Sequence, residues 1–433
     1  MERNALNPRL KRSLRLAVLF LSLIALPAYP QSGATASKTA PVPLLKAAHP
    51  VDWWFVFKFN AQFLPGCAAG ASRTCPFGGD VQTTAKYKEF SQQFAYASSE
   101  HSALQLGGTC VGDTAADPLG ATFDQVYNGS FHFVIWNDQF YDDPKIQGCT
   151  GKCDAPWGHS KGMLAWNDAG EGLVLQVSTP SWPAAGSSKT PRKDGNTLGC
   201  IANDNDVEVS QHFFSVKLTM GDVEKVLAAL QNASVVTDPK DPQIVSSGGP
   251  GDIQKLVASL GAKSQSKTFT IDRLSSGVHL ISKPSGLHVP PWQMVSALLG
   301  GVPLRAATWW AAPGKIYTTT PSTKMACWST TLVKPGAVEI ATTGHWEGKE
   351  FGLTGGSGPN FNHAKIGVPT SGTNHYAIFG DMNQQGDAVA AGNCGSAQNG
   401  RGGLFFVVDD AGLYGSVKDL ITGSAAPTKA PAK

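Results

Sequence analysis

Two short segments of one type, about two hundred residues apart, constrain this chain more than anything else in it: Gly158-His159-Ser160-Lys161-Gly162 and Asn362-His363-Ala364-Lys365. Each sets a histidine two residues before a lysine and then runs into apolar residues, Met163 to Trp166 in one case and Ile366 to Val368 in the other. Side chains of an extended chain repeat every two residues, so each segment presents an imidazole and an ammonium on one face. A motif occurring once per half predicts two equivalent halves that share one site. The surrounding order agrees: a strand, the His-x-Lys segment entering a second strand, and a further strand ending on Asp, Asn or Ser.

Apolar, β-branched and aromatic runs supply the strands. In the first half they are Val51 to Lys58, Phe131 to Trp136, and Gly158 to Trp166 followed by Gly172 to Ser178, the last two joined by the hairpin signal Asn167-Asp168-Ala169-Gly170. Leu198 to Val209 reads as a further strand, Lys86 to His101 as an amphipathic helix, and Val223 to Gln231 as a helix capped by Asp222. In the second half, Ile253 to Leu260 and Trp292 to Leu299 read as helices. Short strands are expected around Ile271, Leu280, Trp309, Cys327 and Ile340, and at His375 to Phe379. A shift to Asp, Pro, Ser and Gly over Asp238–Gly251 places a boundary between lobes 49–240 and 241–423. The 48 glycines favour a loop-rich, strand-rich architecture over a helical bundle.

Arg9, Lys11, Arg12 and Arg15 precede an apolar core, Leu16 to Leu26, too short to span a bilayer comfortably, with small residues at Ala25 and Ala28. Residues 1–28 therefore read as a secretory signal peptide rather than an uncleaved anchor, with a flexible linker over 29–48 and a disordered tail over 424–433. A secreted or periplasmic location without a membrane partner follows. Beyond the leader the chain carries 30 basic and 31 acidic residues, so bulk charge gives no indication of a nucleic-acid partner. All ten histidines lie beyond it and charge in acid. Eight cysteines in an exported chain read as disulfides. Cys67 with Cys75 and Cys149 with Cys153 have local spacing; Cys110, Cys200, Cys327 and Cys394 remain, and the connectivity is open. No CxxC pair or finger-spaced histidine pair supports zinc.

Phosphodiester hydrolysis without a metal needs a nucleophile, an acid for the leaving oxygen, and cations against the phosphoryl oxygens. His159 and His363 can divide the first two tasks through a phosphohistidine, and Lys161 and Lys365 can supply the third. An amide or hydroxyl from Asn167, Ser178, Ser371 or Asn383 would assist, and Asp168 is placed to orient. Such a couple works when one imidazole is charged and the other is not, which favours acid. No cofactor is implied.

Several elements together resemble the deoxyribonuclease II family. They are Val51 to Lys58, Trp136-Asn137-Asp138-Gln139, Gly158 to Gly162, Ser178-Thr179-Pro180-Ser181-Trp182-Pro183, and Gly195-Asn196-Thr197-Leu198-Gly199-Cys200. In the second half they are Asn362 to Lys365, Gly380-Asp381-Met382-Asn383 and Arg401-Gly402-Gly403. The resemblance implies a phospholipase D-like fold of mixed α+β class, with two pseudo-repeated lobes, each a mixed β-sheet flanked by helices. It implies metal-independent endonucleolytic cleavage of DNA in acid, leaving 3′-phosphate ends. It carries His159, Lys161, His363 and Lys365 as catalytic residues, with Asp381 and Asn383 in support. Two departures stand out: Asn167 occupies the place of a family acid, with Asp168 one position later, and Asp238–Lys267 shows no matching motif. A lipid phosphodiesterase of this fold would carry Asp five residues after each motif lysine, where this chain has Trp166 and Thr370. A catalytically silent DNA-binding protein would not require the imidazoles.

Overall fold

The run Trp53–Lys58 forms a strand with every residue buried, a pattern that belongs inside a sheet covered on both faces. It lies in an eight-stranded sheet whose spatial order is Val245–Ser246, His132–Asn137, Lys161–Trp166, Gly172–Val177, Gln211–Leu218, Trp53–Lys58, Phe94–Ser98 and Gln105–Leu106. All its neighbours pair antiparallel. A second sheet of seven strands runs Thr270–Arg273, His279–Lys283, Gly403–Asp409, Tyr376–Gly380, Ile366–Pro369, Leu304–Ala307 and Val338–Ile340. It is mixed, because Leu304–Ala307 and Val338–Ile340 pair parallel. This computed structural model describes residues 39–67, 90–112, 115–192, 207–310, 317–384, 394–395 and 397–428.

The chain traces the two sheets in the same way. Strand Trp53–Lys58, helix Pro118–Tyr127, strands His132–Asn137, Lys161–Trp166, Gly172–Val177 and Gln211–Leu218, then helix Met220–Asn232 make the first pass. Strand His279–Lys283, helix Pro291–Leu298, strands Leu304–Ala307, Ile366–Pro369, Tyr376–Gly380 and Gly403–Asp409, then helix Ala411–Leu420 make the second. Corresponding strands also have corresponding neighbours. Each His-x-Lys segment thus enters the central hairpin of its own sheet: Lys161 opens one strand and Lys365 directly precedes the other.

The sheets share one apolar core. Phe379 of the second stacks on Phe55 at 4.3 Å and Phe214 at 4.8 Å, both from the first. Further out, the helix Pro291–Leu298 covers the other face of the second sheet with Trp292, Met294 and Val295. The helix Met220–Asn232 starts on a capping box in which Thr219 and Asp222 satisfy each other's backbone N–H. Asp222, expected as the cap itself, is instead the third helical residue.

Several expectations give way. Phe94–Ser98 is a strand rather than part of a helix: its Phe, Tyr and alternating Ala fit a half-buried pleat. The stretch around Cys327 is turn rather than strand. Val245–Ser246, inside the expected boundary stretch, joins the edge of the first sheet beside His132–Asn137, and helix Gly251–Ala258 follows it. Residues of the expected flexible segments are also ordered. Leu44–Lys46 pairs with His49–Pro50, and Ala425 bridges to Ala341. Cys67 pairs with Cys110 rather than Cys75, while Cys149–Cys153 and Cys327–Cys394 form the other bonds among the described residues. The expected leader 1–28, Cys75, the Gly195–Cys200 element and most of Leu198–Val209 lie outside the described residues. No helix among the described residues is long and apolar enough to cross a membrane.

Phe379→Ala removes the ring that both Phe55 and Phe214 stack on, at a fully buried site. A loss of about 3–5 kcal/mol is expected, read as a lowered urea midpoint with unchanged slope.

Candidate active site

Close backbone packing sets the position of the first motif. A Cβ on Gly158 would lie 2.6 Å from the Ala233 carbonyl, and one on Gly402 would lie 2.1 Å from the same oxygen. Only glycine lets both strands of chain approach the end of helix Met220–Asn232 together. The His159 N–H then donates to the Gly402 carbonyl at 2.8 Å, which ties the motif to the opposite lobe. The second motif is tied the other way: the His363 N–H donates to the Ser210 carbonyl at 2.8 Å.

Both motifs face one cleft of about 550 Å³, lined by His159, Lys161, His363 and Lys365 together with Ser178, Asn383, Asp138, Arg401 and Trp309. The two rings are held differently. His159 donates from Nδ1 to the Asp381 carbonyl at 2.7 Å, which fixes the tautomer and leaves a lone pair on Nε2. His363 donates from Nε2 to the Gly356 carbonyl at 3.2 Å. Burial and the Lys161 ammonium push His159 well below the usual imidazole range, against the pull of Asp138. Burial and Lys365 do the same to His363. Both rings are therefore neutral near pH 7.

Lys161 donates to Asp138 Oδ1 at 2.5 Å. The other oxygen of Asp138 accepts from Arg401 Nη2 at 2.8 Å. Arg401 comes from the opposite lobe and also donates to the carbonyls of Cys153, Trp157 and Gly158. Burial alone would raise Asp138, but Lys161, His159 and Arg401 outweigh it and hold its carboxyl well below the ordinary range. Lys365 donates from Nζ to its own motif's His363 carbonyl at 2.5 Å, and its backbone N–H donates to His212 Nδ1 at 3.1 Å. His212 is fully buried on Phe379, and burial and Lys365 depress it as well.

The expected supporting residues divide. Ser178 lines the cleft, where its hydroxyl donates to Gln211 and accepts the His212 N–H. Asn383 lines it with its amide oxygen unpartnered, so either end of that amide can turn inward. Asp381 stands behind His159. Its carbonyl takes the ring, while its carboxylate accepts from Ser160, Gln176 and the Leu404 N–H, and burial raises it to about 7. Asn167, Asp168 and Ser371 are not brought to the cleft. Asn167 closes the hairpin turn by accepting the N–H groups of Ala169 and Glu171. Asp168 is exposed and pairs with His132. The six-residue strand Lys161–Trp166 separates that turn from Lys161. Ser371 sits exposed in the corresponding turn of the second sheet. Asp138, Arg401, His212 and Trp309 are site residues that motif chemistry alone did not single out. Two of them were visible inside the Asn-Asp-Gln and Arg-Gly-Gly elements.

The deoxyribonuclease II family model matches residues 44–268, just over half of the 433-residue chain. The chain belongs to the deoxyribonuclease II family. Its mixed α+β fold, with two repeated sheets, agrees with the phospholipase D-like architecture of that family. The match runs through Asp238–Lys267 and ends before the second His-x-Lys segment, which the fold repeat places beside the first. The chain is also similar to deoxyribonuclease-2-alpha of Sus scrofa, 27% identical over 164 residues, 36% of this chain. That match spans 38% of the relative's length.

Asp138 and Arg401 act on His159 with opposite sign. Arg401→Met should move the His159 titration up, and Asp138→Asn should move it down, followed by NMR of the ring protons. Equal or reversed shifts would show that the ion pair does not set this ring's charge.

Proposed function

We propose that this chain is a metal-independent acid endodeoxyribonuclease in which His159 and His363 divide the two halves of one displacement. The observation that carries this reading is the convergence of both histidines and both motif lysines on a single cleft at the junction of the lobes. His159 is assigned as the nucleophile, since its Nδ1–H is committed to a main-chain oxygen and its Nε2 holds the lone pair. Nε2 attacks phosphorus in line, the P–O5′ bond breaks, and the imidazolium of His363 gives the departing oxygen its proton. The Asp381 carbonyl steadies the positive charge that grows on the His159 ring. The nucleotide on the 5′ side of the break remains, joined through its 3′-phosphate to His159 as a phosphohistidine. Neutral His363 then takes a proton from water, whose oxygen attacks phosphorus, the P–N bond breaks, and a 3′-phosphate end leaves.

Lys161 and Lys365 both line the cleft, where Lys161 donates to Asp138 and Lys365 to the His363 carbonyl. Their charges offset the negative charge on the non-bridging phosphoryl oxygens. Asn383 and Ser178 line the same cleft as further polar contacts. DNA is the substrate that the family and the name of the Sus scrofa relative support. The three disulfides among the described residues support an oxidising compartment outside the cytosol.

Both histidines titrate below the ordinary imidazole range, so the protonated acid is scarce at neutral pH and grows as pH falls. Further acidification protonates the nucleophile as well, giving a bell on the acid side. Plasmid nicking in excess EDTA should therefore peak in acid. His159→Ala or His363→Ala should lower it by about 10²–10⁴-fold, and Lys161→Ala or Lys365→Ala by about 10²–10³-fold. Cleavage abolished by EDTA, or surviving either histidine substitution, would falsify the two-histidine reading.

A further inference from the structure

Apart from its two histidines, the described cleft has one aromatic side chain. Trp309 stands two residues beyond strand Leu304–Ala307, partly exposed, and the rest of the lining is polar, charged or small. Its backbone is fixed on both sides. Thr308 is fully buried and accepts the Gln384 N–H at 3.0 Å, and Trp310 is buried to 4% exposure. Gly355 packs against this stretch so closely that a Cβ there would meet the Trp310 nitrogen at 2.0 Å. The indole itself is left facing the cleft, perpendicular to the His363 ring with centroids 6.1 Å apart.

An indole partly exposed inside a polar cleft can offer a flat apolar surface to a ligand, and the flat apolar groups of a polynucleotide are its bases. We infer that Trp309 is a stacking platform for the base of the nucleotide that leaves. The side follows from the proposed function, on which this inference rests: His363 protonates the departing O5′, and Trp309 adjoins His363, so the base it meets belongs to the nucleotide carrying that oxygen. A base that lies on Trp309 has left its neighbours in the duplex. An intact duplex must therefore be unstacked at that nucleotide before cleavage.

The test uses oligonucleotides with one cleavable linkage, all other linkages being blocked, and kcat/KM as the readout. Removing the base from the leaving nucleotide should cost wild-type protein about 5–100-fold, the range of one base-on-aromatic stack. Trp309→Ala should lose a similar factor on the intact strand and nothing more on the abasic one. Trp309→Phe should keep most of the wild-type rate and the wild-type sensitivity to base removal. A Trp309 that merely walls the His363 ring would slow intact and abasic substrates alike, so additive losses overturn the inference. A loss on removing the other neighbour's base instead overturns the assigned side. Wild-type protein that leaves the intact strand uncut overturns the nuclease reading itself, and the stacking inference falls with it.

Discussion

The buried anion Asp138 is the point on which the site depends. One oxygen takes the Lys161 ammonium and the other takes Arg401, so a carboxylate of the first lobe joins its own motif to the loop that closes the second. Burying three charges is costly, and a buried pair is no stabiliser by default. Here the cost is offset by four further acceptors and donors: Arg401 reaches three carbonyls of the Cys153–Gly158 turn, and the Cys153 N–H returns to the Asp138 carbonyl at 2.7 Å. The triad of two cations and one anion leaves one positive charge over, at the wall of a cleft suited to a phosphodiester.

The two buried carboxyl groups near His159 have opposite fates for one reason. Asp138 meets cations and stays ionised far into acid; Asp381 meets mainly dipoles, from Ser160, the Leu404 amide and Gln176, with a lesser pull from Lys161, and burial raises it to about 7. In acid the charge that orders Lys161 is therefore retained while the group behind His159 is neutral. A protonated Asp381 needs an acceptor, and the unpartnered Gln176 oxygen stands beside it. The motifs are latched reciprocally: His159 is held by Asp381 and Gly402 of the second lobe, and the second motif by Ser210 and His212 of the first. Neither motif is held by its own lobe alone.

What the sequence disclosed follows the same physics. The paired His-x-Lys segments, the hairpin after the first, and the apolar strand Trp53–Lys58 were legible because period-2 patterning and turn residues are local signals. Gln211–Leu218 was not, although it lies between Trp53–Lys58 and Gly172–Val177 in the first sheet. Its Gln211, His212 and Ser215 break the apolar run, and they are buried polar groups satisfied largely by residues distant in sequence. Asp168 misled for the converse reason: an acid in a turn has the right chemistry near a histidine motif, and only the length of the strand shows that it points to the wrong end. Cys110 as the partner of Cys67, and Arg401 as the partner of Asp138, depend on contacts between residues 43 and 263 apart, which no window of sequence contains.

Bulk charge and local charge then part company. Beyond residues 1–28 the chain is nearly balanced, at 30 basic to 31 acidic residues, which argues against a surface that holds nucleic acid by charge alone. The cleft is not balanced: Lys152, Lys161, Lys365 and Arg401 face Asp138 and Asp154, and each histidine protonated in acid adds to the surplus. Because Lys161, Lys365 and Arg401 are buried, their field is screened far less by salt than that of exposed lysines. The same cations depress the histidines, so on the proposed mechanism the positive field that would draw a phosphodiester also sets how much acid the couple needs. An anionic phosphate in the cleft would work against that depression and return the imidazoles toward their ordinary range, which would make the substrate's own charge part of what arms the proposed site.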